Sequence, residues 1–484
     1  MTTEYEPIIG LEIHAELLTE SKMFCSCAVV DSTTADPNTA VCEICLGLPG
    51  VLPKVNEQAI EYAIMVGLAL HCEIPAVNQF ARKSYFYPDL PKGYQISQYD
   101  YPLAQNGYVD IDLPDGSSKR IGIRRAHLEE DTGKSTHLAD DTTLIDLNRA
   151  GVPLLEIVSE PDIRSAEEAE AYARKIRAIL QYLGVNSGDM SKGVLRLESN
   201  VSVRPEGSRE FRTRTEVKNL NSIRSLSRAT EYEIDRQIDV WESGEQVIQQ
   251  TMGWDEDRQV TIAQRSKESA HDYRYFPEPD LPNLEIDPKD VEKIRAQMPE
   301  LPDAKQARYE KEFKLTPYNA NVLVADRPVA EYFEAAIDAG GDPTTIANWI
   351  TGEMFRLMNR DSVEREDISS TNVTPERLVA LTKLIAEGVI NNNTGKQVLD
   401  ILYEDGGEPA EIVKEKGLAQ ESDTDKLAEA VATAINDNPD EVARYIAGEE
   451  KVFGFLMGQV MRSFGGKAPA QTVKELLTEQ LGQR

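Results

Sequence analysis

Apolar and polar residues alternate in short runs up to about residue 290, and Gly, Pro and Asp break the runs. "GYVDIDL" (107–113), "KRIGIRRAHL" (119–128), "TTLIDL" (142–147), "LLEIV" (154–158), "VLRLESNVSV" (194–203) and "FRTRTEV" (211–217) have the period of two that predicts strands. "PDGSS" (114–118) is a turn signal between two of them. Two stretches switch to the helical period. "SAEEAEAYARKIRAILQYLG" (165–184) opens on a capping serine, carries Glu167 and Glu168 in its first turn and closes on Gly184. "SIRSLSRATEYEIDRQIDVWESG" (222–244) is the second. This half reads as α+β with a largely antiparallel sheet. Prolines cluster in "FPEPDLPNLEIDP" (276–288), and the helical period dominates afterwards. "EDGGEP" (404–409) reads as a linker. The expected division is a domain over 1–290, a helical domain over 291–405 and a small helical tail over 406–484.

A chain of 484 residues with 40% hydrophobic residues has material for several cores. Its formal net charge of −31 disfavours indiscriminate binding to nucleic acid, though local basic patches remain open to it. No apolar run reaches membrane-spanning length, and "MTTEYEPIIG" lacks the features of an export signal. Five cysteines in so long a chain do not form a disulfide framework, so the cytoplasm is the expected compartment.

Four of those cysteines fall in two close pairs, "CSC" (25–27) and "CEIC" (42–45). The spacing suits a tetrahedral zinc ion held by Cys25, Cys27, Cys42 and Cys45. Four thiolates fill the coordination sphere, which points to a structural role. Carboxylates form a second set. In "GLEIHAEL" (10–17) a strand puts Glu12, His14 and Glu16 on one face. "HLEED" adds Glu129, Glu130 and Asp131, "PLLEIVSEPD" adds Glu156, and "LRLESN" adds Glu198. Several lie inside apolar runs, where a divalent cation offsets their charge. The polar face of a half-exposed sheet accounts for them equally well. "AHLEEDTGKSTH" (126–137) contains Gly-Lys-Ser, but Leu128 stands where a phosphate-binding loop needs its first glycine, which argues against that loop.

"RKSYFYPDLPKGYQISQYD" (82–100) interleaves Lys83, Tyr85, Lys92 and Tyr94 with prolines. It suits a polar passage or base stacking, or else a rigid surface loop. "SREFRTRTEVKNLNSIRSLSR" (208–228) is locally basic, with Arg212 and Arg214 expected on one strand face as phosphate ligands or as solvated partners of glutamates. In the tail, Gly454 and Gly458 suggest close helix packing, and Lys467 follows a glycine pair.

"GLEIHAELLTESKMFC", "CLGLPGVLPKVN", "RKSYFYPDLPKGYQISQYDYPL", "HLEEDTGKSTH", "DLNRAGVPLLEIVSEPD", "EVKNLNS" and "DYRYFPEPDLP" together resemble, in order, the blocks of the GatB/GatE family. That family provides one component of the glutamyl/aspartyl-tRNA amidotransferases, the GatCAB complexes. The tail resembles that family's YqeY-like domain. The resemblance implies a glutamine-synthetase-like cradle and a reaction on Glu-tRNA(Gln), Asp-tRNA(Asn) or both. ATP and Mg²⁺ serve to phosphorylate the side-chain carboxylate, and ammonia then displaces phosphate. By resemblance, His14, Glu130 and Glu156 are the main Mg²⁺ ligands, and Glu12, Glu129 and Glu198 form a second position. Family members often carry aspartate at the position of Glu198. The four-cysteine zinc site occurs in many members but not all. A glutaminase of the amidase type supplies the ammonia, and a small third protein completes the heterotrimer. Lys83, Tyr85, Lys92 and Tyr94 are expected near the ammonia passage. Two other classes compete: an RNA-binding scaffold without catalysis, and a zinc hydrolase, which the filled coordination sphere disfavours.

Overall fold

The alternating runs become strands. In the computed structural model, which describes residues 4–140, 142–266, 273–420, 424–464 and 468–482, the strands are, in chain order, β1 (Tyr5–Glu16), β2 (Val77–Asn78), β3 (Ala81–Ser84), β4 (Tyr94–Ser97), β5 (Ala104–Asp112), β6 (Ser118–Glu130), β7 (Lys134–His137), β8 (Thr143–Asp146), β9 (Pro153–Ser159), β10 (Leu195–Pro205), β11 (Thr215–Leu220), β12 (Gln250–Asp255), β13 (Val260–Ser266), β14 (Phe276–Pro277) and β15 (Leu284–Glu285). Eight of them make one sheet in the order β13-β12-β11-β10-β1-β9-β6-β5. Neighbours run antiparallel except β11 and β12, which are parallel, so the sheet is mixed. The exception follows from α3 (Ile223–Glu242), which lies between those two strands in sequence and supplies the long crossover a parallel pair needs.

Three helices cover one face of the sheet: α1 (Glu57–Ala69), α2 (Ala166–Leu183) and α3. α2 starts where Ser165 accepts a hydrogen bond from the Glu168 amide, and ends on Gly184 at φ 70°. Beneath the helices, Ile9, Leu11, Ile13 and Ala15 of β1 join a large apolar core. The alternation of β1 therefore leaves Glu12, His14 and Glu16 on the other face. α4 (Pro288–Gln297) adds Val291 and Ile294 to this same core. A small sheet, β14-β3-β4, carries Lys83 and Tyr94.

One local reading holds and one changes. The Gly-Lys-Ser stretch runs into strand β7, not into a helix N-terminus, so it does not make a phosphate-binding loop. β11 begins only at Thr215, so Arg212 and Arg214 do not share a strand face; they sit in the irregular segment before it.

The chain divides into two compact units, Met1–Pro302 and Asp303–Arg484. Among its described residues the second unit is helical and has two apolar clusters. One contains Tyr309, Phe333, Ile350 and Leu402; the other contains Leu427, Val431, Leu456 and Leu477. The helix Pro409–Glu415 buries Ile412 and Val413 in the first cluster, so "EDGGEP" is a turn inside that cluster. Gly454 would have open space around a Cβ and Gly458 would meet only the Arg462 side-chain end, so neither mediates close helix packing. Lys467 lies outside the described residues. Among the described residues, no helix is long and apolar enough to cross a membrane.

Candidate active site and metal centres

The open face of the large sheet collects ionisable groups through register. His14 of β1 stands opposite Glu156 of β9, and Glu156 stands opposite His127 of β6. On its other side β1 sets Glu12 opposite Glu198 of β10, and β10 sets Asn200 opposite Glu216 of β11. Directly opposed residues share a face, so these side chains form a continuous polar row over an apolar sheet.

The row holds two groups of potential metal ligands, each with ligand atoms within 4.8 Å of one another. The first is His14, Glu129 and Glu156. Its His14 Nε2 lies 3.5 Å from Glu156 Oε2 and 3.9 Å from Glu129 Oε1, and His127 Nε2 lies 3.4 Å from Glu156 Oε2. The second is Glu12, Glu198 and Glu216. Burial would lower the pKa of His14, but Glu156, Glu198 and Glu129 outweigh it and raise the imidazole to about 9. Burial likewise opposes the charge of Glu156, yet His127 and His14 hold its carboxyl well below the usual range. At Glu12, burial and the nearby Glu156 and Glu198 carboxylates all push the pKa up. A face this rich in mutually repelling carboxylates needs countercharge. Lys218 supplies some, 2.8 Å from Glu198 and 3.7 Å from Glu216. Carboxylate oxygens grouped this closely fit a hard divalent cation such as Mg²⁺.

This grouping differs from the expected ligand sets in three places. Glu129 joins His14 and Glu156 instead of Glu12 and Glu198. Glu130 is outside both groups, because successive strand residues point to opposite faces. Its carboxylate accepts from Lys92 Nζ and, at 2.9 Å, from the Ile96 amide. Glu216 reads from the sequence only as a partner of the basic segment, yet it joins the second group. Its signal was present, a glutamate inside the alternating "TEVKNL", but only the β10–β11 register shows which neighbours it meets.

Beside the second group lies a cavity of about 320 Å³, lined among others by Glu12, Arg124, Arg125, Asn200, Arg212 and Arg214. Arg125 Nε, Arg212 Nη1 and Asn200 Oδ1 are buried there without hydrogen-bond partners. Arg212 stacks over Trp241 at 4.2 Å. Buried guanidinium donors with nothing to donate to are costly unless an anion arrives. The basic segment thus contributes Arg212 and Arg214, while Arg124 and Arg125 come from β6, where sequence reading saw only a strand.

Lys83 is half-buried, with its ammonium 5.1 Å from the Tyr273 ring. Burial would lower its pKa, but Glu129, Tyr275 and Glu156 raise it. Tyr94 stacks with Arg82 at 4.2 Å and has Lys92 Nζ 5.5 Å from its ring. Tyr85 stacks on Tyr87 at 4.4 Å.

The cysteines form a knuckle apart from these groups. Cys45 Sγ lies 3.5 Å from Cys25 Sγ and 3.8 Å from both Cys42 and Cys27. Tetrahedral zinc with Zn–S bonds of about 2.3 Å requires sulfurs about 3.8 Å apart, so the set fits that ion. The buried Lys22 ammonium lies 3.5 Å from Cys45 Sγ and 3.2 Å from the Leu147 carbonyl. Cys25 and Lys22 both help hold the Cys45 thiol down to about 4.

Residues 7–292 match the family model described as the GatB/GatE catalytic domain, and residues 331–481 match the one described as the GatB domain. A protein of Caldicellulosiruptor saccharolyticus is 52% identical over 479 residues, covering 99% of each chain. One from Thermodesulfovibrio yellowstonii is 51% identical over 474 residues, covering 98% of each. One from Moorella thermoacetica is 51% identical over 481 residues, covering 99% of this chain and 100% of that one. All three are named as the B component of an aspartyl/glutamyl-tRNA(Asn/Gln) amidotransferase. With a polar sheet face of paired ligand groups and full-length similarity at this level, the chain belongs to the GatB/GatE family.

Proposed function

We propose that this chain is the carboxylate-activating component of a tRNA-dependent amidotransferase, a C–N ligase that works inside a heteromeric complex. One observation carries the reading: two groups of cation ligands lie on one sheet face beside an arginine-lined cleft. Glu12 and His14 are two residues apart on one strand, which spaces the groups by about 7 Å. That spacing suits a bound polyphosphate and the carboxylate it is to phosphorylate.

In this reading the side-chain carboxylate of Glu-tRNA(Gln), Asp-tRNA(Asn) or both attacks the γ-phosphorus of ATP, and ADP leaves. Ammonia then adds to the acyl carbon, phosphate leaves and a proton is lost, giving the amide. Glu12, Glu198 and Glu216, and likewise His14, Glu129 and Glu156, would hold Mg²⁺, which would supply charge neutralisation for phosphoryl transfer. Arg125 and Arg212 orient the phosphates through their unused donors, with Arg124 and Arg214 lining the same cleft. Lys83 and Lys92 line the entry of ammonia, with Tyr85 and Tyr94 as walls. Glu130, paired with Lys92, is the candidate acceptor for the proton ammonia gives up. The large sheet serves as a cradle of the glutamine-synthetase kind, and the zinc knuckle is structural. A glutaminase of the amidase type supplies ammonia, a small third protein completes the assembly, and the helical unit holds the tRNA, all in the cytoplasm.

The test is amidation by the partner-assembled protein with Glu-tRNA(Gln), ATP, Mg²⁺ and ammonium chloride, comparing wild type with Glu156→Gln. Loss of one electrostatic group at a phosphoryl-transfer centre lowers kcat about 100-fold or more. Binding of tRNA should be unchanged. A fully active Glu156→Gln protein would move the chain to the scaffold class.

A further inference from the structure

The cysteine knuckle and the Lys92–Glu130 pair come from separate stretches of chain, yet they meet on two sides. Gly47 lies two residues past Cys45 and has φ +63°. A Cβ there would stand 2.8 Å from Lys92 Cγ, 3.0 Å from its backbone N and 3.1 Å from its Cα. Two of those atoms are backbone, so no rotamer change makes room; glycine alone permits the approach. The knuckle itself fixes Gly47. Its amide donates to the Ile44 carbonyl at 3.0 Å, and the Leu46 amide donates to the Cys42 carbonyl at 2.9 Å. On the other side Phe24, next to Cys25, has its ring 5.9 Å from Lys92 Nζ. Phe24 is buried and locked edge-on against Phe80 at 5.5 Å. The Lys92 stem runs between these walls, and its ammonium ends on Glu130.

We propose that the four-cysteine knuckle is a positioning device for Lys92: a cation on the four thiolates keeps the turn from Cys42 to Gly47 pressed against the lysine and aims its ammonium at Glu130. Sulfurs 3.5 to 3.8 Å apart stay together as thiolates only around a cation. When the cation leaves, the turn loosens and the wall formed by Gly47 withdraws. The effect on ammonia delivery rests on the function proposed above; the positional claim does not.

The experiment labels the amines of the full-length zinc-loaded chain with a trace of acylating reagent and reads each lysine by mass spectrometry. It compares the loaded chain, the chain stripped by chelator and the chain re-supplied with zinc. Lys92 is expected to react several-fold faster after stripping and to return to its low rate with zinc. Lys175 of α2, in the same unit and with its ammonium 3.5 Å from Asp112, should stay constant and so report that this unit has not unfolded. Gly47→Ala, with zinc still bound, should also raise Lys92 labelling. The proposal is overturned if stripping makes the cysteine thiols reactive while Lys92 labelling holds steady, or if the chain takes up no zinc. In the assembled enzyme, Gly47→Ala should lower glutamine-driven amidation more than ammonium-driven amidation. Equal losses, with Lys92 labelling raised, would reject the passage and leave the positioning intact.

Discussion

Glu233 shows how a single buried charge is made tolerable in this fold. It is fully buried on α3 and accepts from Thr215, Thr261, Gln237 and Arg236. Burial opposes its charge, but Arg236 and the neutral donors win and hold the carboxyl below its usual value of 4.5. A lowered folded pKa stabilises the protein above the usual value and gives that stability up as pH falls through the folded one. Glu233→Leu should therefore cost about 2 kcal/mol at neutral pH, less than a wholly buried pair would because Arg236 remains partly in water. Its denaturant midpoint should also fall less steeply than that of wild type below pH 4.5. Lys92→Met should impair glutamine-driven amidation more than ammonium-driven amidation; equal losses in the two assays would remove Lys92 from the passage. Individual residues were unevenly legible. His14 and Glu12 could be read from alternation along one strand. Glu216 and Arg125 could not, because what gives them a role is a neighbour two strands away.

α2 was legible almost to the residue, since its cap, first-turn acids and terminal glycine are all local signals. Ser165→Ala should cost about 1 kcal/mol, seen as a lower midpoint of thermal or denaturant unfolding. The parallel β11–β12 pair was not legible, because alternation reports which face a residue takes and says nothing of strand direction. Arg212 and Arg214 were misplaced for a related reason. "FRTRTEV" alternates throughout, but only its last three residues find a partner strand. The cysteine knuckle was fully local, and its spacing carried the reading. Cys42→Ser should open residues 25–45 to limited proteolysis while leaving the α2 and α3 region protected; equal protection of both would show that the ion adds no order there.

The two compact units suggest where the chain tolerates cutting. Ile412 and Val413 belong to the first apolar cluster of the helical unit, so a cut at 410 would strip that core. Deleting 424–484 removes a cluster with its own buried set and should spare it. The truncated protein, assembled with its partners, should show a raised KM for tRNA with ATP binding intact; an unchanged KM would take the tail out of tRNA binding. At this level the switch from strands to helices could be read from the sequence, but the place where one core ends and the next begins could not, because that depends on which helices touch. The position of β1 has a further consequence. β1 precedes both of its partner strands in the chain, yet it lies in the interior of the eight-stranded sheet, between β9 and β10. Its partners end at Ser159 and Pro205, so the second of them is complete 189 residues after Glu16. At about 5–20 residues per second, translation leaves this apolar strand incompletely paired for about 10–40 seconds. During synthesis, then, the nascent chain carries an open strand edge that a chaperone would have reason to cover.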